Sequence, residues 1–166
     1  MEQWDLYDEN RNLTQLSVER GETIPDGLRH LSVHIWIVNS KHEFLIQKRS
    51  ANKKKFPNMW SMTGGAVLKG ESSAQGAIRE ASEELGIALN MHDAAIVHTI
   101  LRKDNFVDVW LVHQDFDISQ VKKQDEEVSE VKWASIDEIN TLIQNNLFTP
   151  SVLDGLSAIL KKCEMQ

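Results

Sequence analysis

Cysteine is nearly missing from this chain: Cys163 is the only one among 166 residues. An internal disulfide is therefore excluded, and so is a metal clip built from two thiolates. No apolar run approaches membrane-spanning length, and the opening Met-Glu-Gln-Trp-Asp lacks a basic segment followed by an apolar one. The expectation is a soluble, cytoplasmic protein. Internal repeats and low-complexity segments are also missing, and the length suits one domain over residues 1–166, with an amino-terminal hairpin extension over about residues 1–28. Basic side chains are outnumbered, eighteen against twenty-five acidic, for a net charge of −7. Such a balance argues against broad binding to duplex nucleic acid, which needs many Lys and Arg contacts to phosphate. A small phosphate ligand stays open, because metals and local lysines can reverse the field inside a cleft.

What the chain does have is concentrated between Gly65 and Ile87, where a glycine start, spaced glutamates, one arginine and a glycine stop fall in one window. Ser72-Ser73-Ala74-Gln75 predicts a helix opening, since a serine oxygen can accept the third backbone N–H while the glutamine reaches back. Gly86 supplies the stop. At about 100° per residue, Ala74, Ala77, Ile78, Ala81 and Leu85 share one sector of the helix, while Glu80, Glu83 and Glu84 share another. Three carboxylates on one face repel one another, and a hard cation with oxygen ligands relieves that repulsion. Gly76 weakens the helix on the acidic side, and its missing side chain is expected to leave room for a ligand. A solvated, glutamate-rich surface helix would not require Arg79, Gly76 or the Gly64-Gly65 pair.

This stretch resembles the signature of the Nudix hydrolases: glycine, five residues, glutamate, seven residues, then Arg-Glu-x-x-Glu-Glu-x-Gly and an aliphatic residue. Gly65, Glu71, Arg79, Glu80, Glu83, Glu84, Gly86 and Ile87 match every fixed position, with Ala81 small where a larger apolar residue is usual. The resemblance implies an α/β fold, an α/β/α sandwich with a mixed sheet between helices. It implies that Glu80, Glu83 and Glu84 hold Mg²⁺ or Mn²⁺, with a backbone carbonyl of Gly64 or Gly65 as a further ligand. Arg79 and Glu71 then form the pair that fixes the loop to the helix. The implied reaction is hydrolysis of a nucleoside diphosphate linked to another group, with Glu80 or Glu127 taking the proton of the attacking water. Relatives often carry a loop glutamate near Glu127, although a plain acidic loop accounts equally well for Gln124-Asp125-Glu126-Glu127. Relatives are often dimeric, which leaves a homodimer open, although no stretch of the chain marks an interface.

Lys48, Arg49, Lys53, Lys54 and Lys55 place five cations within eight residues. They are either a solvated loop or a grip on substrate phosphates. On the second reading Arg49 leads, because a guanidinium holds phosphate in a bidentate way, with Lys48 and Lys55 beside it. Leu31–Val38 and Glu43–Arg49 predict a hairpin of two central strands, with Val33, Ile35 and Ile37 on one face of the first and His34, Trp36 and Val38 on the other. His34 is expected to be a hydrogen-bonded interior histidine, and Trp36, Trp60, Phe106 and Trp110 ordinary core. Ala94–Ile100, Phe106–His113 and Val128–Trp133 predict further strands. Ser135 to about Gln144 and a segment opened by Pro150 predict two more helices, the last burying Val152, Leu153, Leu156, Ile159 and Leu160.

Outside the glutamate box, Trp4-Asp-Leu-Tyr-Asp8, Arg29-His30-Leu31, Lys48-Arg49 and Pro57-x-x-Trp60 are similar to isopentenyl diphosphate isomerases. That chemistry requires a cysteine in a Cys-Gly-His-Pro type stretch, and here the run is Thr63-Gly64-Gly65-Ala66. Hydrolysis on an isomerase-like scaffold is the expectation, against isomerisation or a silent nucleotide-binding module.

Overall fold

The computed structural model describes residues 1–164. Its central strand, β3 (His30–Val38), pairs in parallel with β8 (Asn105–His113) over their whole length, from His30↔Asn105 to Val38↔His113. On its other side β3 meets two different strands. Near its end it touches β4 (Phe44–Arg49) at Val38↔Phe44, and nearer its start it pairs with β6 (Thr63–Ala66) from Ile35↔Thr63 to Ser32↔Ala66. β4 and β6 therefore diverge, and the functional side chains gather at the divergence. β5 (Trp60–Ser61) and β9 (Val128–Ala134) flank β4, while β7 (Ala94–Leu101) closes the far edge against β8.

The expected mixed sheet between helices is what the chain builds. Alternation on β3 sends Val33, Ile35 and Ile37 to a core that includes Ala77, Ala81 and Leu85 of α1 (Ser73–Leu85). Trp36 and Val38 go to the opposite core, with Ile139 of α2 (Ile136–Gln144) and Ile159 of α3 (Leu156–Glu164). A sheet covered on both faces needs apolar side chains at successive positions, which is how β3 and β8 read. Trp36, Trp60, Phe106 and Trp110 are all buried in these cores.

α1 begins and ends as its residues dictate. Ser72 Oγ accepts the Gln75 N–H, the Gln75 side chain accepts the Ser72 N–H, and Gly86 closes the helix at φ 64°. Two expectations along it are corrected. Ile78 is 40 % exposed and is no part of the packed stripe. Gly76 leaves no room for a ligand: it is buried, and a Cβ there would come within 2.8 Å of Val67 Cγ2. The glycine lets the helix lie directly on the loop that precedes it.

The last helix is also corrected. Pro150–Asp154 forms a separate 3₁₀ turn, and Gly155 breaks the chain before α3. A Cβ on Gly155 would sit 3.1 Å from Val109 Cγ2, so this break is where the backbone presses onto β8. The change of direction leaves Leu153 63 % exposed instead of in the stripe.

An amino-terminal hairpin is formed by β1 (Gln3–Tyr7) and β2 (Leu13–Glu19), as the sequence suggests. Its turn carries Arg11, whose guanidinium reaches Asp108 on β8, with Nη1 2.7 Å from Oδ1. No helix among the described residues is long and apolar enough to cross a membrane.

His34 departs from its expected hydrogen-bonded state, because its Nδ1 is shut off from solvent without a partner. Burial, with the charge of Arg102 adding to it, lowers its pKa from 6.5 to about 4. Between those values the unfolded chain binds a proton that the folded one refuses. Stability is thus fully present above pH 6.5 and falls toward pH 4, by about 3 kcal/mol from this group. Urea unfolding of the parent and a His34→Leu variant across that range should show the parent losing more stability. Parallel pH profiles would contradict it.

Candidate active site

The site is built on α1, the end of β4, and β6. Glu84 Oε2 accepts a 2.7 Å hydrogen bond from Gln47 Nε2, and Gln47 Oε1 accepts one of 3.0 Å from Thr63 Oγ1. Burial pushes the Glu84 carboxyl up to about 7; the charges of Glu80 and Glu127 add to this, against the Gln47 hydrogen bond and Lys53. Glu80 is raised in the same direction, again by burial first, with Arg79 opposing. Gly65 lies against Glu80 so closely that a Cβ would be 2.3 Å from Oε1. At Gly64 a Cβ would meet the Val33 carbonyl oxygen at 2.3 Å, inside the β3–β6 pairing. Both glycines are therefore demanded by close approach, one to the carboxylate and one to the sheet.

Arg79 joins with Glu71 as the resemblance implies: Nε stands 2.9 Å from Oε1 and Nη2 3.2 Å from Oε2. The same guanidinium donates to the Ala66 carbonyl at 2.8 Å, to Glu80 at 2.9 Å and to Glu83 at 3.1 Å. Although burial opposes its charge, Glu71 and Glu80 hold Arg79 protonated. Glu71, despite partial burial, is held below its usual range by Arg79 and by the Leu68 N–H.

The basic run divides. Lys53 pairs with Glu127, and the Ser50 N–H donates to the Glu127 carbonyl at 2.9 Å, so the start of the loop after β4 meets the loop before β9 beside Glu84. Lys48 faces the other way. Its ammonium is 2.8 Å from Glu130 and 5.9 Å from the Trp60 ring, on the side of the sheet away from α1. Strand alternation forces this separation, since Gln47 occupies the inward position. Arg49 Nε donates to the Lys55 carbonyl at 3.0 Å and so shapes the loop, in which Phe56 and Asn58 have left-handed φ of 51° and 61°.

The three α1 carboxylates do not converge on one point. Among the described residues no three His, Cys, Asp or Glu side chains are disposed to hold an ion. Arg79 draws Glu80 and Glu83 to itself, while Glu84 turns to Gln47. The donor chemistry nonetheless fits a hard divalent cation. Every donor here is oxygen, Glu80 and Glu84 are penalised for their charge by burial, and Glu83, 55 % exposed, is held by Arg79 at 3.1 Å.

Gln47 and Thr63 are not among the expected site residues, and Lys53 is expected only as one member of the basic run that could grip phosphate. The signal for Gln47 was available: a polar side chain in the inward register of Phe44-Leu45-Ile46-Gln47, where burial is otherwise apolar. The isomerase chemistry lacks its groups. The only cysteine is on α3, and His30 stacks on Trp4 with ring centroids 4.4 Å apart.

A mixed sheet between helices, with Arg79 locking a glycine-bordered loop to a glutamate-bearing helix, defines a class, and residues 28–154 match the NUDIX domain. The chain belongs to the Nudix family, hydrolases that act on nucleoside diphosphate derivatives. It is 38 % identical to an uncharacterised Nudix hydrolase of Listeria innocua over 151 residues, 90 % of this chain and 89 % of that one. A weaker likeness, 28 % over 65 % of this chain and 62 % of the other, runs to the isopentenyl-diphosphate Δ-isomerase of Klebsiella pneumoniae. The crystal structure of DR0079 from Deinococcus radiodurans shares the fold, with a TM-score of 0.75 at 22 % identity, over 93 % of this chain and 96 % of that one.

Proposed function

We infer that this protein is a divalent-cation-dependent pyrophosphohydrolase, cleaving the diphosphate linkage of a nucleoside di- or triphosphate or a nucleotide sugar by attack of water at phosphorus. The observation that carries the reading is the buried Glu84 carboxyl held by Gln47 next to Glu80 and Gly65, with the Lys53–Glu127 pair alongside. Glu80, Glu83 and Glu84, with a carbonyl of Gly64 or Gly65, are the residues that would hold Mg²⁺ or Mn²⁺. When bound, such an ion screens phosphate charge and makes a coordinated water more acidic.

The chain's own groups do the rest. Arg79, tied to Glu71, sets the position of Glu80 and releases Glu83 when that side chain is wanted elsewhere. Glu80 or Glu127 accepts the proton of the attacking water as the new P–O bond forms. The bridging P–O bond breaks, and the leaving phosphate carries away its electron pair beside a cationic loop. Lys53, parted from Glu127, and Arg49 and Lys55 on the same loop balance that charge. Lys48 would enter only if the loop reorganised, given its pairing with Glu130. The partner is thus a small diphosphate compound, not duplex nucleic acid or membrane, and residues 1–166 act as one unit, a cytoplasmic homodimer in keeping with the resemblance.

The test is a panel of diphosphates, including ADP-ribose, nucleotide sugars, nucleoside triphosphates, dinucleoside polyphosphates and isopentenyl diphosphate, in ¹⁸O-water with Mg²⁺ or Mn²⁺. The expected result is one product phosphate carrying a single ¹⁸O, lost on chelation of the cation. Isomerised isopentenyl diphosphate without hydrolysis, or tight nucleotide binding without products, would replace the reading.

A further inference from the structure

We propose that Asp5, on the amino-terminal hairpin, is a positioning residue for the catalytic glutamates, acting through the loop that ends at Glu71. The proposal rests on the hydrolase reading above. The match to the family begins at residue 28, so the hairpin lies outside it. Yet β1 runs alongside the loop between β6 and α1. The Lys69 N–H donates to the Gln3 carbonyl at 2.8 Å, and the Gly70 N–H donates to Asp5 Oδ2 at 2.7 Å. Lys69 Nζ adds a 3.1 Å contact to Ser17 Oγ on β2.

The loop reverses at Gly70, whose φ of +82° belongs to the left-handed region. Open space surrounds the point where a Cβ would be, so glycine is there for its backbone and not for clearance. That reversal delivers Glu71, whose Oε2 accepts the Leu68 N–H at 2.9 Å and whose carboxylate receives Arg79. Arg79 passes the constraint to Glu80 and to the Ala66 carbonyl. Asp5 is the side chain that ties this turn to the hairpin through a charge-assisted bond, and such a bond is stronger than a neutral one. The hairpin is itself fixed. Tyr7 and Arg29 exchange backbone hydrogen bonds of 2.8 and 2.9 Å, and Arg11 grips Asp108. Asp5 thereby refers the Glu71–Arg79–Glu80 group to the central sheet by a second route, independent of β6.

A residue that only stabilised an exposed turn would leave the glutamates undisturbed, and two measurements on the full chain separate the cases. The first is amide exchange of Leu68 in the metal-free protein, followed by NMR. The second is affinity for Mn²⁺ alone, followed by water-proton relaxation. Asp5→Ala is expected to speed Leu68 exchange and weaken Mn²⁺ binding about tenfold. Asp5→Asn keeps an acceptor oxygen and should recover most of both. Arg20→Ala, which breaks only the exposed 3.1 Å pair with Glu2 on the same hairpin, should change neither. Unchanged Leu68 exchange in Asp5→Ala overturns the proposal, as does faster exchange with Mn²⁺ affinity equal to the parent's. A parent protein that takes up no Mn²⁺ overturns the hydrolase reading itself, and that failure is seen before any variant is made.

Discussion

Glu84→Gln is expected to lower turnover about a thousandfold or more while leaving the metal-free protein as stable as the parent, or more so. The two halves have one cause. Glu84 is enclosed next to Glu80 and Glu127, and its carboxyl is pushed up to about 7. A carboxylic acid whose folded pKa lies above its unfolded value opposes folding once both states are ionised, so at pH 8 the charge is a liability to the fold. Glutamine removes the charge and keeps a side chain able to bond Gln47. The same change removes an anionic oxygen donor from the proposed ion site. Mn²⁺ should therefore raise the melting temperature of the parent, since a ligand that binds only the folded state stabilises it by mass action. The rise should be smaller in the variant, which keeps Glu80 and Glu83 but has lost one anionic donor. Thermal melts with and without Mn²⁺, read beside the rate of diphosphate hydrolysis, check all three statements. A variant that hydrolyses substrate at the parent rate would remove Glu84 from the mechanism.

Arg11→Met is expected to destabilise the fold by about 2–4 kcal/mol. Asp108 has no exposed side-chain surface and sits in the middle of β8, while Arg11 is 35 % exposed. Burial opposes the Asp108 charge, but Arg11, Ser73 and Thr99 together hold its carboxyl below the usual range. Removing the guanidinium strands a buried carboxylate, which in general costs about 3–5 kcal/mol, somewhat less here because Arg11 is partly solvated. For a chain of this size that corresponds to a fall in melting temperature of about 5–15 °C. Asp108→Asn on the Arg11→Met background should recover most of it, because the uncompensated charge is gone and Thr99 can still donate. A double variant no more stable than Arg11→Met would place the loss elsewhere, in the packing of Arg11 against the Phe106 ring, 5.6 Å from its centroid.

Legibility of the chain followed the range of the interactions. The start and stop of α1 depend on Ser72, Gln75 and Gly86, all within a few positions of what they bond. The two faces of β3 follow from alternation alone. Gly76 was misread because the spacing of its own helix says nothing about Val67, which fills the space. The final helix was misread because Pro150 marks a beginning, while the break at Gly155 comes from pressure against Val109 on a distant strand.

Residue spacing by itself determined the glutamate signature, the two faces of β3 and the hairpin at the start, because each is written in a repeat of two or 3.6 residues or in a short motif, while the sandwich and the Glu71–Arg79 pair followed from the resemblance that the signature carries. Only tertiary structure decided that Lys53 and not Lys48 meets Glu127, that Gln47 holds Glu84, that Arg11 neutralises Asp108, and that Asp5 reaches Gly70. Those pairings join side chains far apart in the chain. They depend on which face of β4 turns toward α1 and on where the hairpin docks, and these are set by burial across the whole sheet.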